Sequence, residues 1–296
     1  MTLAAQQDPV VVVGCDGSWE SMEAVDVAAD EALQRGLPLV VLTIEDGPGR
    51  DVRHLGDWSR ATAEGADEAE ATSRRALERI AGRVPSVTAV RAATVDAPGV
   101  EELASRAELL VVGRHGSRGL GAFASGSTSE QLTRRLRCPV LVAGPRRRRS
   151  PDERAGASHP VVVVGVDDGP SAGAVLSVAV DAARTREWDL TVVYAAPRTT
   201  DTELSVLATR VWDRHADLLV TQRSPDDSLA KVVVDVDHPV AALLAHAGPH
   251  DLLVVGTEGG GRLAGLISGS VARGVLDGMP CDVLVVPPTA VRARSA

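Results

Sequence analysis

The sequence predicts two tandem α/β domains, each a parallel sheet with helices between its strands, and three observations carry that expectation. A glycine-spaced motif, G-x-x-G-x9-G-S, occurs once in each half: Gly113, Gly116 and Gly126-Ser127, then Gly256, Gly259 and Gly269-Ser270. Residues 9–16, a proline, four valines, Gly14, Cys15 and Asp16, return at 160–167 as a proline, four valines, Gly165, Val166 and Asp167. Finally, β-branched runs alternate along the chain with helix-periodic stretches, the pattern of strands joined by crossover helices. Self-similarity at a domain-sized period means tandem domains and not a solenoid, and 296 residues suit about two domains. The boundaries follow: 1–145, a linker at 146–159, and 160–296. The linker carries Arg146, Arg147, Arg148, Arg149 and Pro151, and reads as a solvated connector.

Each element has its own signal. Residues 10–14 are a continuous apolar run, as expected of a strand buried on both faces. Ser18 then stands as N-cap to a helix running to Arg35, with Gly36 to end it. Strands follow at 39–44, 88–94, 109–113 and 140–143, and helices at 58–82, 99–106 and 127–136. The second half repeats the order, with strands at 161–165, 190–195, 231–235, 252–256 and 283–286. Its helices are expected at 172–185, 202–221, 240–247 and 270–276.

Composition narrows the function classes. Hydrophobic residues make up 44% of the chain but aromatics only 2%, so the core must be built from Val, Leu and Ala. A net charge of −9 with a single Tyr and a single Phe argues against nucleic acid, which needs basic faces and stacking rings. No run approaches the roughly 18–20 apolar residues of a membrane span, and no basic-then-apolar leader is visible, so a cytoplasmic location away from membranes is expected. Three cysteines without paired spacing fit a reducing compartment, and Cys138 and Cys281, at equivalent positions, read as small core residues. Lys231 is the only lysine, so a Walker A loop is excluded. No C-x-x-C, H-x3-H or H-E-x-x-H spacing marks a protein-held metal, and no G-x-S-x-G elbow marks a nucleophile.

A glycine-rich loop between a strand and a helix N-terminus lets backbone N–H groups close on an anion. In an open α/β sheet, ligands bind beyond the carboxyl ends of strands where the order reverses. If strands one and four are neighbours there, the glycine motif meets Gly14 and Asp16, or Gly165 and Asp167, in one crevice. Glycines for phosphate and a carboxylate for base or ribose together describe a nucleotide. Two alternatives stay open: the glycines mark tight turns, and Asp16 and Asp167 cap the helices that follow.

These residues resemble the universal stress protein family, in its ATP-binding branch, over nearly all of both halves. The resemblance implies a Rossmann-like, doubly wound parallel sheet of order 3-2-1-4-5 in each domain, with ATP between the loops after strands one and four. It implies that Asp16 and Asp167 contact adenine or ribose and that backbone near Val41 and Val192 holds the adenine edge. Loop residues Gly113, Arg114, His115, Gly116, Ser117, Arg118 and Gly119, with Gly126, Ser127 and Thr128, would wrap ribose and phosphates in the first domain. Gly256, Thr257, Gly259, Gly260, Gly261 and Arg262, with Gly269, Ser270 and Val271, would do so in the second. Mg²⁺ or Mn²⁺ would arrive with the nucleotide phosphates.

The first site is expected to be the stronger, because Arg114, His115 and Arg118 suit phosphate by charge. The second carries Glu258 in its loop and Asp168 beside Asp167. The expected function is an ATP-binding stress-response regulator that senses the nucleotide with little or no hydrolysis, and no catalytic residue is assigned. The rivals are a slow ATPase or nucleotidyl-transfer enzyme and a cyclic-nucleotide binder. Short apolar fifth strands at 140–143 and 283–286 predict pairing of the two halves as an intramolecular pseudo-dimer, with a homodimer also open.

Overall fold

A computed structural model of the chain describes residues 8–45, 55–114, 128–145, 159–196, 201–220, 230–257 and 269–287. The chain divides into two units, Met1–Ala143 and Gly144–Ala296.

In the first unit the elements run β1 (Val10–Gly14), α1 (Trp19–Arg35), β2 (Leu39–Ile44), α2 (Leu55–Arg79), β3 (Val87–Ala92), α3 (Pro98–Arg106), β4 (Ala107–Gly113), α4 (Thr128–Leu136) and β5 (Val140–Ala143). The strand order is β3-β2-β1-β4-β5 and every pairing is parallel. The chain therefore winds outward from β1 to β3, then returns to β4 on the other side of β1. That reversal places the switch point between β1 and β4, where the carboxyl ends of two adjacent strands feed loops that diverge to opposite faces.

The valine run explains why β1 is central. Val10 to Val13 are no more than 1% exposed, so both faces of the strand are covered, and each side chain contributes about 1.5 kcal/mol or more by leaving water. Edge strand β3 is instead mostly exposed or half-buried, and of its residues only Ala92 is buried. Over α1, Ala24, Val25, Ala28, Ala29 and Ala32 are buried, a small-residue stripe at helical spacing that lets the helix lie close to the sheet. Its ends are set as the sequence predicts. Ser18 accepts from the Ser21 amide at 3.2 Å, and Gly36 adopts the left-handed conformation at φ 66°.

The second unit repeats the design: β6 (Val161–Val166), α5 (Ala172–Arg186), β7 (Asp189–Ala195), α6 (Asp201–Val220), β8 (Ala230–Asp235), α7 (Pro239–His246), β9 (Leu252–Gly256), α8 (Ser270–Gly278) and β10 (Asp282–Val286). Its order is β8-β7-β6-β9-β10, again parallel throughout. Val162, Val163 and Val164 are fully buried in the central strand. Lys231, the one lysine, lies exposed on edge strand β8, where a charge discourages pairing with another chain.

Boundaries moved by up to three residues from the sequence expectation. The α2 helix begins at Leu55 and ends at Arg79, where 58–82 was expected, because residues after Arg79 turn through Gly82 at φ 76°.

Candidate functional site

The second unit holds a cavity of about 180 Å³ at its switch point. Its floor is the carboxyl ends of three parallel strands: Gly165 and Val166 of β6, Val193 and Ala195 of β7, and Val255 and Gly256 of β9. Its sides are the first turns of three helices: Ser171, Ala172 and Val175 around α5, Pro239 and Leu243 of α7, and Gly269, Ser270 and Val271 at the start of α8. The Asp167 carboxylate stands at the rim. The lining is largely aliphatic, with the polar groups confined to Asp167, the two serines and the backbone.

The start of α8 is the part suited to an anion. Its N-cap is Gly269, whose carbonyl accepts from the Arg273 amide at 3.0 Å but which has no side chain to satisfy the first-turn amides. The first turn carries no acidic residue. Uncapped N–H groups at the positive end of a helix favour a negative group by electrostatics and by hydrogen bonding together.

Asp16 and Asp167 do not cap the helices after them; Ser18 and Ser171 are the N-caps. Each aspartate instead folds the loop at its strand end. Asp16 Oδ1 accepts from the Ser18 amide at 3.0 Å and from the Ser18 hydroxyl at 2.6 Å. Asp167 Oδ1 accepts from the Gly169 amide at 2.9 Å. Both carboxylates are exposed just past the carboxyl end of the central strand, so the structural role in the turn leaves each of them open to solvent.

The two units differ at this loop. At the repeat offset, α5 begins two residues later than α1, because Gly169-Pro170 stands where α1 has Ser18-Trp19. In the first unit the start of α1 presses on the end of β4. A methyl group on Gly113 would lie 2.7 Å from the Glu20 carbonyl carbon and 2.9 Å from the Ser21 amide nitrogen. At Gly256, the equivalent position, only the Val175 side chain comes close, at 2.8 Å. Gly113 is thus demanded by helix–strand packing, a reason that neither a turn nor a phosphate supplies.

Several expected site residues sit elsewhere. Val41 and Val192 are fully buried in mid-strand and laddered on both sides, Val41 to Val13 and Ala89, Val192 to Val164 and Val232. Their backbone groups are committed to the sheet. The lining positions of β7 are Val193 and Ala195, which strand alternation places on the face opposite Val192. Thr257 is only 5% exposed, and its amide donates to the Val286 carbonyl at 3.2 Å, beside the cavity and not in it. Gly14, Gly113, Arg114 and Thr128 lie at the corresponding strand ends and helix start of the first unit. His115, Gly116, Ser117, Arg118, Gly119, Gly126 and Ser127, and Gly259, Gly260, Gly261 and Arg262, lie outside the described residues. Sequence reasoning missed Leu243 and Pro239 as lining residues. The repeated Asp-x-Pro before the third helix was the available signal, since it fixes where that helix starts.

Asp168, read from sequence as a liability, is engaged away from the cavity. The Tyr194 hydroxyl donates to its Oδ2 at 2.7 Å and Arg214 of α6 pairs with its Oδ1. These hydrogen bonds and the Arg214 charge hold the Asp168 carboxyl below the usual carboxylate range.

Both units are doubly wound parallel α/β sheets of the same strand order, and the second carries at its switch point a crevice with a helix start that has no side-chain cap and an acid at the rim, the architecture of a small-molecule pocket in this fold class. The family model of the universal stress protein family matches residues 9–144 and 160–287; the chain belongs to that family. It is 31% identical over 289 residues to a universal stress protein of Mycobacterium tuberculosis, spanning 93% of this chain and 96% of that one. A second M. tuberculosis universal stress protein is 29% identical over 322 residues, covering 96% of each. Among solved structures, a universal stress protein from Archaeoglobus fulgidus superimposes with a TM-score of 0.63 at 17% identity, covering 95% of this chain and 99% of that one.

Proposed function

We propose that the chain is a nucleotide-binding regulator of the stress response that takes ATP with Mg²⁺ in its switch-point crevices and hydrolyses it slowly or not at all. The observation that carries this reading is the second-unit cavity, where an aliphatic floor meets the uncapped start of α8 and the Asp167 carboxylate. An aliphatic slot accepts a flat base, a rim carboxylate accepts from ribose hydroxyls, and open helix amides accept a phosphate. The glycine motif has its first glycine, Gly256, in the floor of this cavity and its last, Gly269, at the start of α8. Among the described residues no cluster of three His, Cys, Asp or Glu side chains could hold a metal; Mg²⁺ is assigned to the nucleotide's own phosphates.

The test is titration of the full chain with ATP and Mg²⁺ by calorimetry, together with identification of any nucleotide that co-purifies. Asp167→Ala should weaken the second-unit event at least tenfold, about 1.4 kcal/mol. A chain that binds no ATP, or that binds a cyclic nucleotide in its place, sinks this reading.

A further inference from the structure

Asp168 follows directly on the rim residue Asp167, so its charge stands next to the mouth of an anion site. Tyr194 lies in β7 between Val193 and Ala195, both of which line the cavity. Alternation turns the Tyr194 ring to the other face of the strand, where its hydroxyl meets Asp168 and Arg214 of α6 completes the grip. Tyr194 is the chain's single tyrosine, and the Asp168–Arg214 pair is largely exposed, so it adds little to stability.

We propose that Arg214 and Tyr194 are positioning residues for the second-unit cavity, holding the Asp168 carboxylate turned from the mouth and compensating its charge so that a phosphorylated ligand can enter. This inference rests on the nucleotide reading above. It explains how the second unit tolerates a double-aspartate loop where the first has Asp16-Gly17. It also assigns α6, which contributes no residue to the cavity lining, an electrostatic part in binding.

The experiment is calorimetric titration of the full chain with ATP and Mg²⁺ at about 0.1 M salt, where the screening length is near 10 Å. The second-unit event is the one removed by Asp167→Ala. Arg214→Ala should weaken that event about threefold to tenfold, as expected for an uncompensated charge near a polyanion. Asp168→Asn added to Arg214→Ala should restore it, and Asp168→Asn alone should bind at least as well as the parent. At about 1 M salt the Arg214→Ala defect should shrink. A merely structural role for Arg214 would not be rescued by removing a carboxylate. Should Arg214→Ala fail to fold, Tyr194→Phe keeps the ring, loses the hydroxyl, and should show a smaller defect that Asp168→Asn also erases. Loss of all ATP binding in the parent chain, or an isotherm that Asp167→Ala leaves unchanged, overturns the nucleotide reading itself. Binding that depends on Asp167 but is indifferent to Arg214 and Tyr194, or a defect that Asp168→Asn does not rescue, overturns this inference alone.

Discussion

Two kinds of glycine stand at the strand ends, and they differ in what a side chain would meet. At Gly14 an added methyl finds Val112 at 3.6 Å and Leu132 at 3.8 Å, ordinary contact. At Gly113 it would drive into the Glu20–Ser21 backbone at 2.7–2.9 Å. Gly113→Ala should therefore destabilise by about 1–3 kcal/mol, as overpacking does, while Gly14→Ala stays within about 1 kcal/mol; urea melts of the two variants check this. The cysteines give a second prediction at this scale. Burial pushes the Cys138 thiol up to about 12, and burial aided by the Asp282 and Asp251 carboxylates does the same for Cys281. All three cysteines are free and buried, so a thiol reagent at pH 8 should find no rapidly reacting group until the chain is unfolded. Fast modification of Cys138 in the native protein would contradict the core reading. Residue identity was readable where one local force dominates, as with the Ser18 cap and the Gly36 terminator. On β7 the cavity is lined by Val193 and Ala195 and not by Val192, because which face of the strand looks toward the crevice is decided only by the neighbouring elements.

Among elements, α1 and α2 are tied by charge. Asp26 takes Arg79 at 2.6 Å and Arg83 at 2.5 Å, and Arg83 also reaches Asp30 at 2.8 Å. Burial alone would raise the Asp26 carboxyl, but the hydrogen bonds and charges of Arg79 and Arg83 outweigh it and hold the group below its usual value. A carboxyl lowered in the folded state stabilises above its unfolded value, near 3.9, and that stability is lost as pH falls through the lower folded value. Asp26→Asn should cost about 1 kcal/mol at pH 7, allowing for partial solvent screening, and the difference from the parent should shrink as pH falls below the unfolded value near 3.9. Chemical denaturation at pH 7 and pH 3 measures both; a difference that persists unchanged in acid would mean that packing, not charge, joins these helices. Nothing in the sequence pointed to Asp26, because its partners lie more than fifty residues away and a surface-type aspartate on a helix is the common case. The strands were readable because a fully buried parallel strand must be apolar on both faces, as in Val10–Gly14 and Val161–Val166, whereas their order was implied only by the family resemblance. Helix ends were less readable, since the last turn of α2 depends on how the chain must re-enter the sheet at β3.

For the whole molecule, the proposed binding of ATP raises the question whether the nucleotide would be held or turned over. Phosphoryl transfer needs a positioned acceptor or water and extra cationic stabilisation at the γ-phosphate. Lys231 sits on edge strand β8, in a strand that contributes nothing to the cavity lining. Arg214 is paired with Asp168, and Arg79 and Arg83 are paired with Asp26. Asp167, the acid at the second-unit rim, has one oxygen engaged by the Gly169 amide at 2.9 Å, and it follows the end of the central strand and lines the same cavity as the start of α8. In the proposed binding mode, with phosphates on the helix amides, an acid at the strand end is assigned to the nucleoside, the wrong end for a general base. Turnover with ATP and Mg²⁺ should accordingly fall below about 0.1 per second, two orders under the median enzyme value near 10 per second. A regulator gains from that slowness, because its occupancy then follows nucleotide concentration instead of its own hydrolysis rate. The measurement is phosphate release by the purified full chain, with Asp16→Ala and Asp167→Ala as controls. Release at several per second that either substitution abolishes would make the rim aspartate a catalytic group and the protein an enzyme.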